Sequence, residues 1–358
     1  MMQSIPRIAG LVAGLWLVAV PAWLSAQDDA VEPQPAQRVP LADESLLLDV
    51  KRIDDRFVAV GARGHVLLSD DGRNWTQAEA VPVRATLTRV TGAGRRMWAV
   101  GHDATIVSSM DGGQTWFIQH FDPEAEEPLF DAAFLDPDTG YAIGAYGRFM
   151  STGDGGINWN TERLADRVVS EAIDWQAFAR QQDDIDTLPD DYELPSGEDA
   201  SDFIDKGCYE FDECHLNAIL VLDEERLMIA AEGGYGYRST DGGETWESFR
   251  FPYPGSMFGL VRQQDCILAF GLRGNIQKSC DFGDSWSRLE VEGEQTLLGG
   301  TRYPDDRVVL VGSGATRITI TPDGASSRAS DRLGSDFAAV ALAGNDLILV
   351  GEDGVRHE

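Results

Sequence analysis

The residues most suggestive of chemistry recur in one short pattern, STDGGETW at positions 239–246. A carboxylate, two glycines, hydroxyls and an indole within eight residues are the materials of a hydrolytic loop or a divalent-cation site. The pattern stands elsewhere too, as SMDGGQTW (109–116), TGDGGINW (152–159) and SCDFGDSW (279–286). A looser LSDDGRNW covers 68–75 and an eroded TPDGASSR covers 321–328. A catalytic residue is normally needed once, whereas a turn that folds a repeated unit is needed in every copy. Asp70, Asp111, Asp154, Asp241, Asp281 and Asp323 are therefore expected to accept backbone N–H groups in tight turns where glycine supplies positive φ. Trp75, Trp116, Trp159, Trp246 and Trp286 are expected to pack beneath these turns or between repeats. One acid per turn falls short of the oxygen cage calcium requires, so no metal is expected there.

The elements that must position these turns form a longer unit. An alternating apolar stretch precedes each box: FVAVGARGHVLLSDDGRNW at 57–75, MWAVGHDATIVSSMDGGQTW at 97–116, YAIGAYGRFMSTGDGGINW at 141–159. LMIAAEGGYGYRSTDGGETW (227–246) and CILAFGLRGNIQKSCDFGDSW (266–286) follow, and then two degraded copies at 308–327 and 347–358. The turn positions Gly61, Gly101, Gly144, Ala231, Gly271, Gly312 and Gly351 mark seven copies, spaced by about 40 residues with one longer interval between Gly144 and Ala231. In the first copy, strands are expected at 46–53, 56–61, 65–69 and 74–80 from period-2 alternation and Gly-rich turns. Repeats of this length and strand content predict an all-β fold, a seven-bladed β-propeller with four-stranded blades. The last copy ends inside its third strand, so QRVPLA (37–42) is expected to supply the missing strand and close the ring.

Charge narrows the partners. Sixty acidic against 29 basic residues give a net charge of -31, which excludes phosphate-backbone binding as a general activity and disfavours anionic membrane surfaces. Arg7 followed by IAGLVAGLWLVAVPAW and then LSAQDD reads as a signal peptide over 1–26, with a flexible leader over 27–36 and the propeller over 37–358. An uncleaved anchor is the competing reading, disfavoured by the shortness of the run and by Pro21. No cysteine follows that run, and no later segment is long and apolar enough to span a bilayer. The expected location is periplasmic or secreted.

Between the third and fourth copies lies an insertion, 162–215. Residues 162–182 have the charge mix and apolar spacing of an amphipathic helix, with Val168, Ala172, Trp175 and Phe178 as a stripe, and an acidic stretch follows. Blade topology predicts that this insertion projects on the face opposite the box turns, where binding loops are often carried. Cys208 and Cys214 bracket YEFDE inside it, while Cys266 and Cys280 flank the GLRGN hairpin. Two local disulfides fit an oxidising compartment; zinc, with His215 beside Cys214, is the other reading.

The boxes resemble the Asp-box, or BNR, repeat of sialidases and related propellers. The full unit, with its V-G-x-x-G stretch before the box, resembles the photosystem II stability/assembly factor family and its exported bacterial relatives over about residues 40–358 outside the insertion. That resemblance implies a non-enzymatic scaffold, without cofactor, bound to a membrane-protein complex. The partner would be a resistance-nodulation-type transporter or, in a thylakoid-lumen-like compartment, a photosystem-like assembly. It also implies an arginine patch for the partner, to which Arg63, Arg148 and Arg273 in GARG, GAYGR and GLRG are matched, with Tyr235 and Tyr237 adding aromatic contact area. A sialidase-like or other glycoside hydrolase is the alternative, and a small-ligand module a third. The arginine-bearing motif of sialidases is missing from the first copy, and the adjacent Tyr209 and Glu210 lie in the insertion, so no catalytic residue is assigned.

Overall fold

In a computed structural model of the chain, residues 31–169, 214–330 and 334–358 are described. Residues 33–358 make up one unit, a seven-bladed propeller of antiparallel sheets. Blade 1 consists of Leu47–Ile53, Arg56–Gly61, Val66–Ser69 and Thr76–Gln77, in that order from the axis outward. Blade 2 begins with Leu87–Ala93, blade 3 with Leu129–Phe134, blade 4 with Leu216–Val221, blade 5 with Met257–Gln263 and blade 6 with Leu297–Arg302. Each of these has four strands, whereas blade 7 has three: Phe337–Ala343, Asp346–Gly351 and Gly354–His357.

Alternation explains why the ring holds. Side chains on the two faces of each sheet point to the two neighbouring blades, so each face must be apolar. Phe57, Ala59 and Leu67 of blade 1 pack with Ala339, Ile348 and Val350 of blade 7, while Val58, Val60 and Leu68 pack with Leu87, Val90 and Met97 of blade 2. Similar clusters fill the other interfaces, including Phe149 with Tyr237 and Trp246 between blades 3 and 4.

The glycine that ends the second strand has a steric cause. A Cβ on Gly61 would stand 2.3 Å from Leu46 O and 2.6 Å from Leu47 Cα, because the strand closes tightly on a register irregularity between Leu47 and Asp49. Blade 4 carries Ala231 at this place, with φ at -131°.

Closure differs from the sequence expectation. Residues 37–42 form no strand on blade 7. Ala36 N donates to Val81 O, and Val39 N and Gln37 O bond to the Gln77 amide, so the segment lies along the outer edge of blade 1. Pro40 has no N–H to give a ladder, and Val39 and Leu41 are exposed, leaving no apolar alternation to bury. A single 3-10 turn, Ala42–Glu44, then meets Gly354, and the ring closes by apolar packing of blade 1 on blade 7.

The insertion also starts differently. Residues 160–163 are the outer strand of blade 3, paired with Arg148–Ser151, so the expected helix does not begin at 162. Val168 bridges to Trp246 of blade 4 instead of joining a helical stripe, and Val169 N donates to Trp246 O. The chain therefore leaves beside a box indole and returns at Cys214–His215, where His215 O accepts the Glu232 N–H. The remainder of the expected helix, the acidic stretch and Cys208 lie outside the described residues, as does the expected signal peptide.

Candidate functional site

The box turns use their polar atoms internally. Ser109 Oγ donates to Asp111 Oδ1 at 2.8 Å and accepts the Gly113 N–H at 2.9 Å. Thr115 donates its N–H and hydroxyl to the two oxygens of Asp111, at 3.0 and 2.6 Å, and Trp116 Nε1 donates to Gly113 O. Asp154, Asp241 and Asp281 hold their turns by the same bonds, and Asp323 accepts from Thr321. In the first box the residue at this place is Asp71, which accepts from Ser69 and from the Arg73 and Asn74 N–H groups. That box is one residue shorter, so Asp70 points outward and pairs with Arg56 at 2.9 Å. Hydrogen bonds from Ser285 and Ser279 lower the Asp281 pKa to about 2. At Asp241 burial opposes ionisation, but hydrogen bonds from Thr245 outweigh it and lower the pKa.

The indoles divide. Trp116 and Trp246 are buried, and Trp75 is half-buried, with each Nε1 bonded to a box glycine carbonyl. Trp286 packs instead on Phe249 and Phe251 of blade 4, and Trp159 packs edge-on to Phe134. Cys266 and Cys280 form a disulfide from the second strand of blade 5 to its box, at the places held in blade 1 by Arg56 and Asp70. None of the described cysteines is free.

The opposite face is made by the turns after each second strand. All seven are pinned alike to the residue before the inner strand: Ala62 N donates to Leu46 O, Ala145 N to Pro128 O, Leu272 N to Ser256 O, and so around the ring. Arg63 and Arg273 sit at turn tips in the left-handed region, φ 59° and 55°, and are exposed. Neither makes a hydrogen bond or ion pair among the described residues. Blade 3 places Tyr146 at the same tip, with φ 53° and an exposed ring. A bulky side chain at positive φ is uncommon and marks strain that a structure keeps for a reason. Arg163 holds the tip by donating to Tyr146 O at 2.8 Å, and the ring meets His215 edge-on at 5.0 Å.

Arg148 does not join Arg63 and Arg273. It starts the third strand of blade 3, is 5% exposed, and pairs with Glu127 at 3.1 Å. Aligning GAYGR with GARG on the second glycine, not on the arginine, puts Tyr146 beside Arg63 and would have found it from sequence. Tyr237 is fully buried in the interface of blades 3 and 4 and offers no contact area. Tyr235 is half-buried under the Arg250 guanidinium, 3.8 Å from the ring centre.

The axial channel holds a further group that sequence reasoning missed. Arg89 lies between Asp49 at 3.7 Å and Asp131 at 3.5 Å. Asp49 Oδ2 accepts the Val90 N–H and Asp131 Oδ2 accepts the Ile219 N–H, each across a blade boundary. Burial would lower the Arg89 pKa, but Asp131 and Asp49 together raise it. These acids thus latch blades 1 to 2 and 3 to 4.

No family model matches the chain, and no curated protein matches it. Solved structures do. The structure described as YCF48 bound to D1 peptide is similar at TM-score 0.60 and 17% identity, over 91% of this chain and 96% of that one. YCF48 from Cyanidioschyzon merolae is similar at TM-score 0.61 and 17% identity, over 89% and 97%. A catalytically inactive virginiamycin B lyase from Staphylococcus aureus, with quinupristin, gives TM-score 0.64 at 11% identity, over 91% and 99%. At these identities the likeness establishes the propeller fold.

Proposed function

We propose that this chain is a non-enzymatic scaffold of the photosystem II stability/assembly factor type that docks on a membrane-protein complex through the face opposite its box turns. One observation carries the reading: seven identically pinned turns present Arg63, Tyr146 and Arg273 outward, without charge partners for the two arginines among the described residues. Exposed arginine and tyrosine on a rigid frame are the side chains that dominate protein interfaces. A propeller of the same fold was solved with a peptide bound, which supports peptide docking as a use of this architecture. Export through a cleaved segment over 1–26 would place the scaffold where the loops of such a complex emerge. Among the described residues, no helix is long and apolar enough to cross a membrane.

The competing reading is glycoside hydrolysis, for which two carboxylates must face one substrate bond. Asp49 and Asp131 line one cavity, yet both oxygens of Asp131 and one of Asp49 are taken by backbone N–H groups, with Arg89 between them. That arrangement suits a latch better than an acid and a nucleophile. The test is capture from detergent-solubilised membranes of the native host by the wild-type chain and by Arg63→Glu/Tyr146→Ser/Arg273→Glu. Enrichment of one membrane complex by the wild type, lost in the variant with an unchanged unfolding midpoint, is expected. Equal capture by both proteins would overturn the assignment of the face.

A further inference from the structure

The channel latch is incomplete, and the missing half has a chemistry of its own. Each inner strand has its register irregularity at the same place, and the residue that follows faces an equivalent partner: Val90 opposite Ala99, Ile219 opposite Ile229, Leu260 opposite Ala269. In blades 2, 3 and 4 the N–H of this residue points off the ladder into the channel, where an aspartate accepts it: Val90 to Asp49, Ala132 and Ile219 to Asp131, at 3.0, 2.8 and 3.0 Å. Ladder geometry gives Val50, Leu260, Gly300 and Val340 the same outward N–H. For these four the preceding blade offers Ala339, Ala218, Gly259 and Gly299, whose side chains have no acceptor to match the Asp49 and Asp131 carboxylates.

Blades 5, 6, 7 and 1 are contiguous, so the four amides form one arc on one wall of a cavity of about 450 Å³. That volume is within the range of small-molecule sites. Four cationic side chains and two anionic ones line the cavity, in a chain whose net charge is -31. Lys51, on the wall of blade 1, has no ion pair among the described residues. Converging backbone N–H groups with a nearby cation are a recurrent way of binding oxyanions. We infer that the axial channel is a binding site for a small oxyanion, a carboxylate or a phosphate, held by the amides of Val50, Leu260, Gly300 and Val340 and charge-balanced by Lys51. The site is independent of the docking face.

Asp49 and Asp131 show how to close it. Ala218→Asp and Ala339→Asp would each set a carboxylate on an arc amide, Leu260 or Val50, by the geometry already used in blades 1 and 3. The experiment is calorimetric titration of the full chain at low ionic strength with inorganic phosphate, succinate and uncharged erythritol. At least one anion is expected to bind with Kd below about 1 mM, erythritol not at all, and either aspartate variant to weaken binding about tenfold or more. Preference for phosphate or for succinate identifies the ligand as phosphoryl or carboxylate. Thermal unfolding checks that the variants are folded; should either fail, Lys51→Met replaces it, with at least about a threefold loss expected. No binding of either anion at 10 mM (about the weakest affinity that still fills such a site), or equal binding by wild type and variants, overturns the inference.

Discussion

The two faces of this propeller are built from turns repeated around the same ring, yet they spend their side chains oppositely. On the box face the polar atoms turn inward. Asp111, Asp154, Asp241 and Asp281 are consumed by their own turns, and Arg56, Arg96 and Arg238 reach across to carbonyls of the next blade, at Gly112, Pro137 and Phe282. On the other face the fixing common to all seven turns is a backbone bond, one N–H to the residue before the inner strand, and side chains add to it only turn by turn, as Arg163 does at Tyr146. Its tip residues differ from blade to blade: Arg63, Asp103, Tyr146, Gly233, Arg273, Gly314 and Asp353. A turn whose side chains hold it together cannot vary them, whereas a turn held by its backbone can. The first face is therefore where stability resides, and the second where recognition can be written.

Substitutions on each face should separate these roles. The largest effect is expected from Trp246→Ala, which removes a fully buried indole from the interface of blades 3 and 4 and should cost about 3–5 kcal/mol in denaturant unfolding. Trp75→Ala, at a half-buried site, should cost clearly less. Cys266→Ser/Cys280→Ser opens a short loop on the box side of blade 5 and should cost about 3 kcal/mol, read the same way.

Acid should act mainly on the box face. The folded pKa of Asp281 is depressed to about 2, and those of Asp71, Asp111, Asp154, Asp241 and Asp323 are lowered as well. Carboxylates with depressed folded pKa values contribute stability above their unfolded values, near 3.8, and lose it as pH falls through the folded ones. The unfolding midpoint should drop between about pH 4 and 2, and Asp281→Asn should remove its share of that slope. A flat profile across this window would break the comparison.

On the tip face the same measurements should barely move. Tyr146→Gly relieves a left-handed tyrosine at the cost of chain entropy, so stability should stay within about 1 kcal/mol. Arg63→Glu with Arg273→Glu should change it by less than about 0.5 kcal/mol per site. A loss of several kcal/mol at either place would make these tips structural and remove the basis for a docking face.

Local pattern carried much of this into the sequence. Seven recurring turns, strand alternation and the repeated Asp and Trp were enough for the seven blades and for the strand order of the first, because each depends on residues within one repeat. Readings failed where a one-residue register decides the outcome. LSDDGRNW is shorter by one, which transfers the turn from Asp70 to Asp71. GAYGR has its arginine two positions beyond the tip, which buries Arg148 and exposes Tyr146. The channel was illegible for another reason: Asp49, Arg89 and Asp131 lie some 40 residues apart along the chain and meet only when the ring closes.

The division between faces is tested most directly by placing a photo-crosslinking amino acid, one site at a time, at positions 63, 146 and 273 and at the exposed box positions 110, 157 and 240, in cells of the native host. The account predicts crosslinks to one membrane-protein complex from the first three sites and none from the last three, at equal expression. Crosslinks to that complex from the box sites, with silent tips, would contradict it.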